Sequence, residues 1–433
     1  MRRMRNTGTA AGTLLVPLLL LAPPSRAQQD IGTQVRALAQ DPAVQRAFGV
    51  IEALEPRSMA DLIELTQIPA PPFMERQRAE VYMRWLLEAG ADTAYIDGAG
   101  NVIAVRRGRT GGRVVGFGGH LDTVFPEGTD VTVRQRGDTL FAPGVGDDTR
   151  GLIVVLTVLR AMERAGLETE SDVWFVGVVG EEGLGDLRGM KHLFRAGTAK
   201  PASWIDVDGG GIDRIVNAGL GSHRYRVKFK GPGGHSWGAF GMANPAHAQG
   251  RAIRHFVIVA DSMTRTGPRT SYNIGVIGGG TSVNSIPFEV MMEVDMRSES
   301  PESLDRIDAA FRMAMQRGLD EENAALRRGP PLEIEIEQVG NRPSGTMPEW
   351  TPLVQRALVA GRVLGAEPSL GFASTDANIP ISLGIPAVTI GRGGDGGGGH
   401  SPGEWWRNEN GTAAIRNALL LLVSEAGLSR PRA

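Results

Sequence analysis

Residues 114–123 read Val-Val-Gly-Phe-Gly-Gly-His-Leu-Asp-Thr, an apolar segment that ends in a histidine and an aspartate two positions apart. Four more clusters of acidic or histidine side chains stand where an apolar strand is predicted to end. They are Gly146-Asp147-Asp148-Thr149-Arg150-Gly151, Gly180-Glu181-Glu182-Gly183, Asp206-Val207-Asp208-Gly209 and Gly399-His400-Ser401-Pro402. Ligand sites of parallel sheets lie at the carboxyl ends of the strands, so we expect these five clusters to meet at one edge.

The strands that lead into these clusters are nearly continuous in apolar residues and alternate with helical patterns. This indicates a parallel sheet buried on both faces. The predicted strands cover 93–96, 102–106, 114–118, 173–179, 203–207 and 385–390. Helices are predicted over 152–165, on both sides of the proline-rich turn at 68–72, and, as an accessory polar helix, within 30–55. The predicted fold class is α/β, with a mostly parallel sheet and helices on both faces.

The pattern changes near residue 220, where 223–230 alternate as a half-buried strand. A helix over 245–263, strands over 271–277 and 286–297, a helix that begins after Ser300, and a strand over 332–338 follow. This strand-helix-strand-strand-helix-strand order predicts an inserted ferredoxin-like α+β unit. The predicted boundaries are 1–27 for a signal peptide, 28–219 and 340–433 for the two parts of the α/β domain, and 220–339 for the inserted unit.

Composition narrows the classes of function. At 433 residues the chain exceeds the size that one core usually supports, so two domains are expected. Cysteine is absent, which excludes disulfides and thiolate ligands and leaves His, Asp and Glu for any metal site. The net charge of −2 becomes about −6 when residues 1–27, with four arginines and no acids, are removed. An acidic chain without a basic run is a poor candidate for nucleic-acid binding.

The first residues have the features of a secretory signal peptide. Arg2, Arg3 and Arg5 supply a positive start, residues 14–21 an apolar stretch, and Ser25-Arg26-Ala27 a small-residue cleavage site. The apolar stretch is too short and wrongly flanked for a membrane span. We therefore predict a secreted or periplasmic protein without a membrane anchor after processing; an uncleaved anchor is the alternative.

The five clusters together contain the ligands of a dinuclear metal site. Borderline metals such as zinc accept imidazole and carboxylate ligands, and cobalt and manganese accept the same set. Two ions that share a bridging carboxylate need about five ligands and one further carboxylate to activate water. The side chains that could meet this need are His120, Asp147, Glu181, Glu182, Asp208 and His400. The pattern predicts a metallohydrolase with two divalent ions, zinc in the first instance.

Spacing suggests how the side chains divide the work. At the strand end, Asp122 could hold the second ring nitrogen of His120 and so decide which nitrogen meets the metal. Asp147 precedes a helix N-terminus, where an anion is favoured, and could bridge two ions. Glu181 and Glu182 are adjacent and diverge, so one could bind metal while the other accepts a proton from water.

The combination of motifs carries a family resemblance that extends over residues 58–425. Gly119-His120-Leu121-Asp122-Thr123, Asp147-Asp148, Gly180-Glu181-Glu182 and Pro232-Gly233-Gly234-His235-Ser236 resemble the peptidase T, glutamate carboxypeptidase, aminoacylase and succinyl-diaminopimelate desuccinylase family of metallohydrolases. The resemblance implies an α/β catalytic domain with two zinc ions and an inserted lid that often dimerises. Many relatives have Asp-Asp-Lys-Gly where this chain has Asp148-Thr149-Arg150-Gly151, and Asp-Glu-Glu where it has Gly180-Glu181-Glu182.

Roles for individual residues follow from the resemblance. The implied metal ligands are His120 and Asp208 for one ion, Glu182 and His400 for the other, and Asp147 for both. Glu181 is the implied general base, Asp122 the residue that orients His120, and the Asp147–Asp148 peptide is expected to be cis. On the lid, His235 is implied to stabilise the oxyanion. Asn284, Arg297 and Arg342 are predicted to grip polar groups of the substrate, arginine because its planar fork matches a carboxylate.

The resulting prediction is a dinuclear exopeptidase that cleaves a terminal bond of short peptides and resembles peptidase T. The alternatives are an N-acyl-amino-acid amidohydrolase or carboxypeptidase with the same mechanism, and a degenerate relative that only binds peptides. A homodimer through the lid is a further prediction. The glycine-rich segment 391–399 is interpreted as a flexible connection to His400, because it lacks the features of a phosphate-binding loop.

Overall fold

The structure, a computed structural model, describes residues 26–430. The predicted signal peptide lies outside this range except for its last two residues, at the start of the first helix. The helices are α1 (Arg26–Ala39), α2 (Pro42–Ala53), α3 (Glu55–Thr66), α4 (Arg76–Glu88), α5 (Gly151–Ala165), α6 (Arg188–Leu193), α7 (Pro245–Met263), α8 (Pro301–Ala324), α9 (Pro352–Val363), α10 (Asn378–Ser382) and α11 (Gly411–Ala426). Within the described range, no helix is both long enough and apolar enough to cross a membrane.

The strands form a large sheet, a smaller sheet and two minor ones. They are β1 (Thr93–Ile96), β2 (Val102–Arg106), β3 (Val114–His120), β4 (Arg134–Arg136), β5 (Thr139–Phe141), β6 (Asp172–Val178), β7 (Ser203–Val207), β8 (Arg214–Gly219), β9 (Gly221–Lys230), β10 (Gly234–His235), β11 (Thr270–Gly279), β12 (Ser285–Ile286), β13 (Glu289–Ser298), β14 (Glu333–Arg342), β15 (Gly345–Thr346), β16 (Ser369–Ala373), β17 (Ala387–Ile390), β18 (Asp395–Gly397) and β19 (Trp405–Arg407).

The large sheet has the order β1-β2-β6-β3-β7-β17-β8-β15, with β16 paired to β8. The four central strands β6, β3, β7 and β17 run parallel, whereas β1, β2, β8 and β15 pair antiparallel at the two sides. Nearly every residue of β3 and β7 is buried, as expected for strands covered on both faces. The α/β class is confirmed, and the sheet is mixed at its margins.

Close packing of Trp204 explains the glycines that alternate along β3. The fully buried indole of Trp204 lies against β3, and a Cβ on Gly116 would come within 2.4 Å of its ring. A Cβ on Gly118 would come within 2.9 Å of the same ring. The Gly-Phe-Gly-Gly pattern therefore lets β3 accept a large side chain from its neighbour.

The N-terminal helices correct one prediction. Residues 30–55 form not a polar accessory helix but most of α1 and α2, which pack into the main core through Val35, Val44 and Ile51. Asp41 caps α2 by accepting a hydrogen bond from the Ala43 amide, with Pro42 in the first turn. The many polar residues of α1 and α2 suggested an accessory helix outside the core. An amphipathic helix, however, needs only one apolar stripe to pack into a core.

The smaller domain is a four-stranded antiparallel sheet in the order β11-β13-β9-β14, against which α7 and α8 pack. It has a core of its own, in which the rings of Tyr225 and Phe256 lie 5.0 and 5.4 Å from that of Phe311. Asn244 and Ser300 cap the two helices. The chain enters this sheet directly after β8 of the large sheet and returns to the large sheet at β15.

The segment 391–399, interpreted above as a flexible connection to His400, contains a strand that was not predicted. β18 lies within it and pairs with β19, which in turn pairs with β5. The indole nitrogen of Trp406 donates a hydrogen bond to the Gly393 carbonyl. This glycine-rich sequence has no apolar alternation that would predict a strand. β18 forms nonetheless, because main-chain hydrogen bonds pair it with β19.

Candidate metal centre

The carboxyl ends of neighbouring strands bring the predicted ligands together. His120 ends β3, Glu182 follows β6, Asp208 follows β7 and His400 follows β17. Asp147 lies in the turn Val145–Arg150 that leads into α5, where its own backbone is not helical, and its peptide bond to Asp148 is cis, as the resemblance implies. Because β6, β3, β7 and β17 are adjacent, residues separated by up to 280 positions in sequence share one small volume.

Besides a group formed by His120, Glu181 and Glu182, the possible ligand atoms form two groups that share Asp147. In one group the nearest ligand atoms of His120, Asp147 and Asp208 lie within 4.8 Å of one another, and in the other those of Asp147, Glu182 and His400 do so. The two oxygens of Asp147 face different histidines: Oδ1 is 3.1 Å from Nε2 of His120, and Oδ2 is 3.1 Å from Nε2 of His400. A carboxylate placed in this way fits a bridge between two ions.

Electrostatics in the centre favour cations. Burial opposes the charged form of His120, but its hydrogen bond to Asp147 and the nearby carboxylates raise its pKa well above the usual value. Hydrogen bonds to Asp147 and Glu182 raise the pKa of His400 to about 10. Burial opposes ionisation of Asp147, yet the two histidines hold its pKa far below normal. The carboxylates outnumber the histidines and attract positive charge, which divalent ions could supply in place of protons. The imidazole and carboxylate donors fit a borderline metal.

Asp122 acts through two different groups, which corrects the predicted contact. Its main-chain carbonyl, not its carboxylate, lies 2.9 Å from Nδ1 of His120, whereas Oδ1 is 3.9 Å away. The carbonyl can only accept, so it favours a proton on Nδ1 and leaves Nε2 to face the metal position. The carboxylate instead accepts hydrogen bonds from the amides of Glu181 and Glu182, at 3.0 and 2.8 Å.

Glu181 is buried beside the two ligand groups and is held by Arg342. Nη1 of Arg342 donates to Oε1 of Glu181 at 2.8 Å and to Oγ of Ser374 at 2.8 Å, and Nη2 contacts the main-chain carbonyl of Glu181. Burial raises the pKa of Glu181 well above its usual value, Arg342 lowers it, and Glu182 raises it further. We predicted that Arg342 grips the substrate, but in this structure its buried guanidinium is occupied by Glu181.

The other predicted lid residues stand apart from the ligands. His235 is exposed on β10, where Nδ1 accepts hydrogen bonds from the amides of Trp237 and Gly238. The pairing of β10 with β12 places Asn284 beside it, since the Asn284 carbonyl accepts from the Ser236 amide at 2.9 Å. Arg297 forms an ion pair with Asp295 at 2.8 Å. Within residues 26–430, none of the three is hydrogen-bonded to a predicted metal ligand.

Two further carboxylates that we did not single out organise the centre. Asp148 accepts hydrogen bonds from the amides of His120 and Gly151, at 3.1 Å each. Glu404 is buried and accepts from the amides of Gly144, Gly146 and Asp147. The Asp147-Asp148 motif pointed to the first residue. Nothing in the local sequence pointed to Glu404, because its partners are main-chain groups about 260 residues away.

The segment Ser374-Thr375-Asp376 lies behind the centre. Oγ1 of Thr375 is 2.7 Å from Oγ1 of Thr389, which donates to Asp206. Burial, together with the neighbouring Asp208, raises the pKa of Asp206 to about 7. Asp376 is buried, and in the described part of the chain neither of its carboxylate oxygens has a hydrogen-bond partner. Burial raises its pKa well above normal, which favours a neutral carboxyl next to so many acids.

Known proteins are similar to this chain in sequence and in fold. The chain is 27% identical over 357 residues to the uncharacterized protein YqjE of Bacillus subtilis (strain 168), covering 78% of this chain and 90% of that protein. It is 28% identical over 347 residues to acetylornithine deacetylase of Myxococcus xanthus, covering 71% and 89%. The crystal structure of aminopeptidase PepT from Bacillus cereus ATCC 10987 superposes with a TM-score of 0.66 at 21% identity, covering 86% and 97%.

The model of peptidase family M20/M25/M40 matches residues 116–423, a range that includes every predicted metal ligand. Enzymes of this family are hydrolases that act on amide bonds, and a dinuclear metal site is typical of them. The metal-binding cluster, the α/β sheet and the family match point to the same class of protein. This chain belongs to peptidase family M20/M25/M40 and is a metal-binding hydrolase of amide bonds.

Proposed function

We propose that this protein is a dinuclear zinc exopeptidase that releases one terminal residue or a small fragment from short peptides. The observation that carries the proposal is the position of Asp147 between two histidines, with the carboxylate of Glu181 buried beside them and held by Arg342. A dinuclear hydrolase needs such a bridge and one carboxylate free of metal.

Bound ions would polarise the scissile carbonyl and lower the pKa of an attacking water molecule. The protein's part is to hold that water and to move its proton. Glu181 accepts the proton on its carboxylate and returns it to the leaving amine, a role favoured by burial, which raises its pKa above that of an exposed carboxyl. Arg342 holds Glu181 by both its side chain and its main-chain carbonyl.

Preference for peptides rests on the resemblance to peptidase T and on the similarity in fold to aminopeptidase PepT. Sequence similarity to acetylornithine deacetylase favours a second candidate, hydrolysis of N-acyl amino acids by the same centre. A carboxypeptidase would also use this centre. A degenerate relative that only binds peptides is disfavoured, because the chain keeps all five implied ligands and Glu181.

The deciding experiment is a mass-spectrometric assay of the zinc-loaded protein on mixed di- and tripeptides and, separately, on N-acetylated amino acids. We expect cleavage of the free peptides, loss of activity on chelation, and recovery with zinc; cobalt and manganese are compared in the same assay. The products identify the terminus that is cut. Cleavage of the acetylated set alone would replace the exopeptidase by the amidohydrolase.

Export and dimerisation complete the proposal. The signal-peptide pattern of residues 1–27 supports secretion or location in the periplasm, and N-terminal sequencing of protein recovered from each fraction would test it. The outer position of β11 in the smaller sheet supports a homodimer in which two such sheets meet. A monomeric mass by light scattering at micromolar concentration would contradict the dimer.

A further inference from the structure

One buried carboxylate joins the two loops that carry Asp147 and His400. Oε2 of Glu404 accepts a hydrogen bond from the Gly144 amide at 2.7 Å, and Oε1 accepts from the amides of Gly146 and Asp147 at 2.8 and 2.9 Å. Only 2% of Glu404 is exposed. Three main-chain donors thus point at one side chain, which is the arrangement of a carboxylate that shapes a loop.

The loop before Asp147 is built around this carboxylate. Gly144 has a φ of +76°, a conformation that glycine adopts without strain. A Cβ on Gly146 would come within 3.1 Å of Oε1 of Glu404 and within 2.6 Å of Nη2 of Arg392. The backbone therefore approaches Glu404 closely at the residue directly before the bridging ligand.

Glu404 is also tied to the loop of His400, four residues earlier, because its amide donates a hydrogen bond to the Ser401 carbonyl at 3.1 Å. Its carbonyl accepts from the Ala142 amide at 3.1 Å, which adds a further bond to the segment before Asp147. His400 and Asp147 face each other at 3.1 Å across this connection. A shift of either loop would change the separation of these two ligands.

We propose that Glu404 is a positioning residue for the metal centre: it clamps the Asp147 loop to the His400 loop and so sets the geometry of the bridging ligand. The inference rests on the metal centre of the proposed function, but it concerns ion binding rather than the substrate. Residues that orient metal ligands in this way change metal affinity by roughly 10- to 100-fold when replaced.

The test is Glu404→Gln, which keeps the volume of the side chain but turns an amide group toward one of the three N–H donors. Apo protein is titrated with zinc in competition with a chromophoric chelator, and its thermal unfolding is measured separately. We expect the affinity for at least one of two zinc ions to fall by roughly 10- to 100-fold. Zinc affinities within twofold of the wild-type values would overturn the proposal.

The matched control is Glu425→Gln. Glu425 is also buried and charged, but it pairs with Arg113 and with Arg356, at 2.9 Å for the latter, far from the ligand loops in the fold. It should lose thermal stability and keep both zinc affinities. If Glu404→Gln does not fold, Glu404→Asp is titrated instead, because it keeps the charge and shortens the reach. Failure of both Glu404 variants to fold would assign the residue to folding alone and overturn the proposal.

This readout is independent of the proposed reaction. Wild-type protein that binds two zinc ions but cleaves no peptide would refute the exopeptidase while leaving the clamp testable. Unchanged zinc binding in the folded Glu404 variant would refute the clamp and leave the exopeptidase intact.

Discussion

The carboxyl edge of the large sheet and the tip of the smaller domain place their functional side chains in opposite environments. His120, Glu181 and Glu182 are buried, and Asp122 holds all three of them. Its main-chain carbonyl faces Nδ1 of His120, and its carboxylate accepts hydrogen bonds from the amides of Glu181 and Glu182. His235 and Asn284 are exposed on the short β10–β12 pairing. The geometry of the metal ligands is therefore set within the catalytic domain, whereas the residues at the tip depend on how the smaller domain meets a substrate.

The smaller domain contacts the edge of the large sheet through β9 and β14, away from its tip. Nη1 of Arg224 on β9 donates to the Gly183 carbonyl at 2.6 Å, and the Asn341 amide donates to Asp186 at 2.8 Å. Both contacts end on the segment that follows Glu182. Arg342, at the end of β14, reaches Glu181 itself. The smaller domain thus meets the centre on the side of the proposed base.

The largest effect on kcat is expected from Glu181→Gln, in the buried metal centre. Removal of the proton acceptor should lower kcat by about 10²- to 10⁴-fold and leave the zinc content unchanged. Steady-state kinetics and metal analysis of the purified variant measure both. Glu170→Gln, at a partly exposed ion pair with Arg109 in the same domain, is the control and should keep full activity. Substantial residual activity of Glu181→Gln would remove Glu181 from its assigned role.

A smaller effect is expected at the exposed tip, from His235→Gln. If the imidazole stabilises the oxyanion, kcat should fall by about 10²- to 10³-fold with zinc affinity and thermal stability unchanged. His247→Gln, an exposed histidine on α7 of the same domain, is the matched control. Equal kinetics of the two variants would show that the tip takes no part in the reaction.

Arg342 lies between the two regions, and the kinetics of an Arg342 variant distinguish a positioning role from a substrate-binding role. If it positions Glu181, Arg342→Gln should lower kcat by about tenfold at nearly constant KM; if it grips substrate, KM should rise instead. Arg297→Gln serves as the comparison, since its partner Asp295 is outside the centre. A rise in KM alone for Arg342→Gln would restore the role first predicted for this residue.

The smallest effect concerns the smaller domain alone. Burial favours the neutral form of Asp308, but contacts with His223, Tyr225 and Arg312 outweigh this effect. They hold the pKa of Asp308 at about 2, below its ordinary 3.8. A depressed carboxylate pKa stabilises the folded state above the ordinary value, and this stabilisation is lost as the pH falls toward the folded-state value. The difference in urea midpoint between wild type and Asp308→Asn should therefore shrink as the pH falls below 3.8. A pH-independent difference would show that charge plays no part in it.

Much of this molecule was predictable because apolar runs that end in polar clusters are local signals. Strands 93–96, 102–106 and 203–207 and helix 245–263 have the predicted bounds. The packing of α1 and α2 and the pairing of β18 were not predictable, because each depends on partners distant in sequence. For the same reason, the role of Glu404 and the contact of Arg342 with Glu181 could not be predicted. Their partners are distant in sequence, and no local motif indicates them.

By itself, the sequence determined the class of fold, the metal-ligand candidates and the family resemblance, because each follows from residue types at fixed local spacing. Tertiary structure alone decided which oxygen of Asp147 faces which histidine and which group of Asp122 holds His120. It also decided that Arg342 is occupied within the centre. The physical reason is that a hydrogen bond or an ion pair forms only when two groups are held at a contact distance to within a few tenths of an ångström, which the packing of separate segments decides. Hydrophobic periodicity, in contrast, is a property of each segment alone.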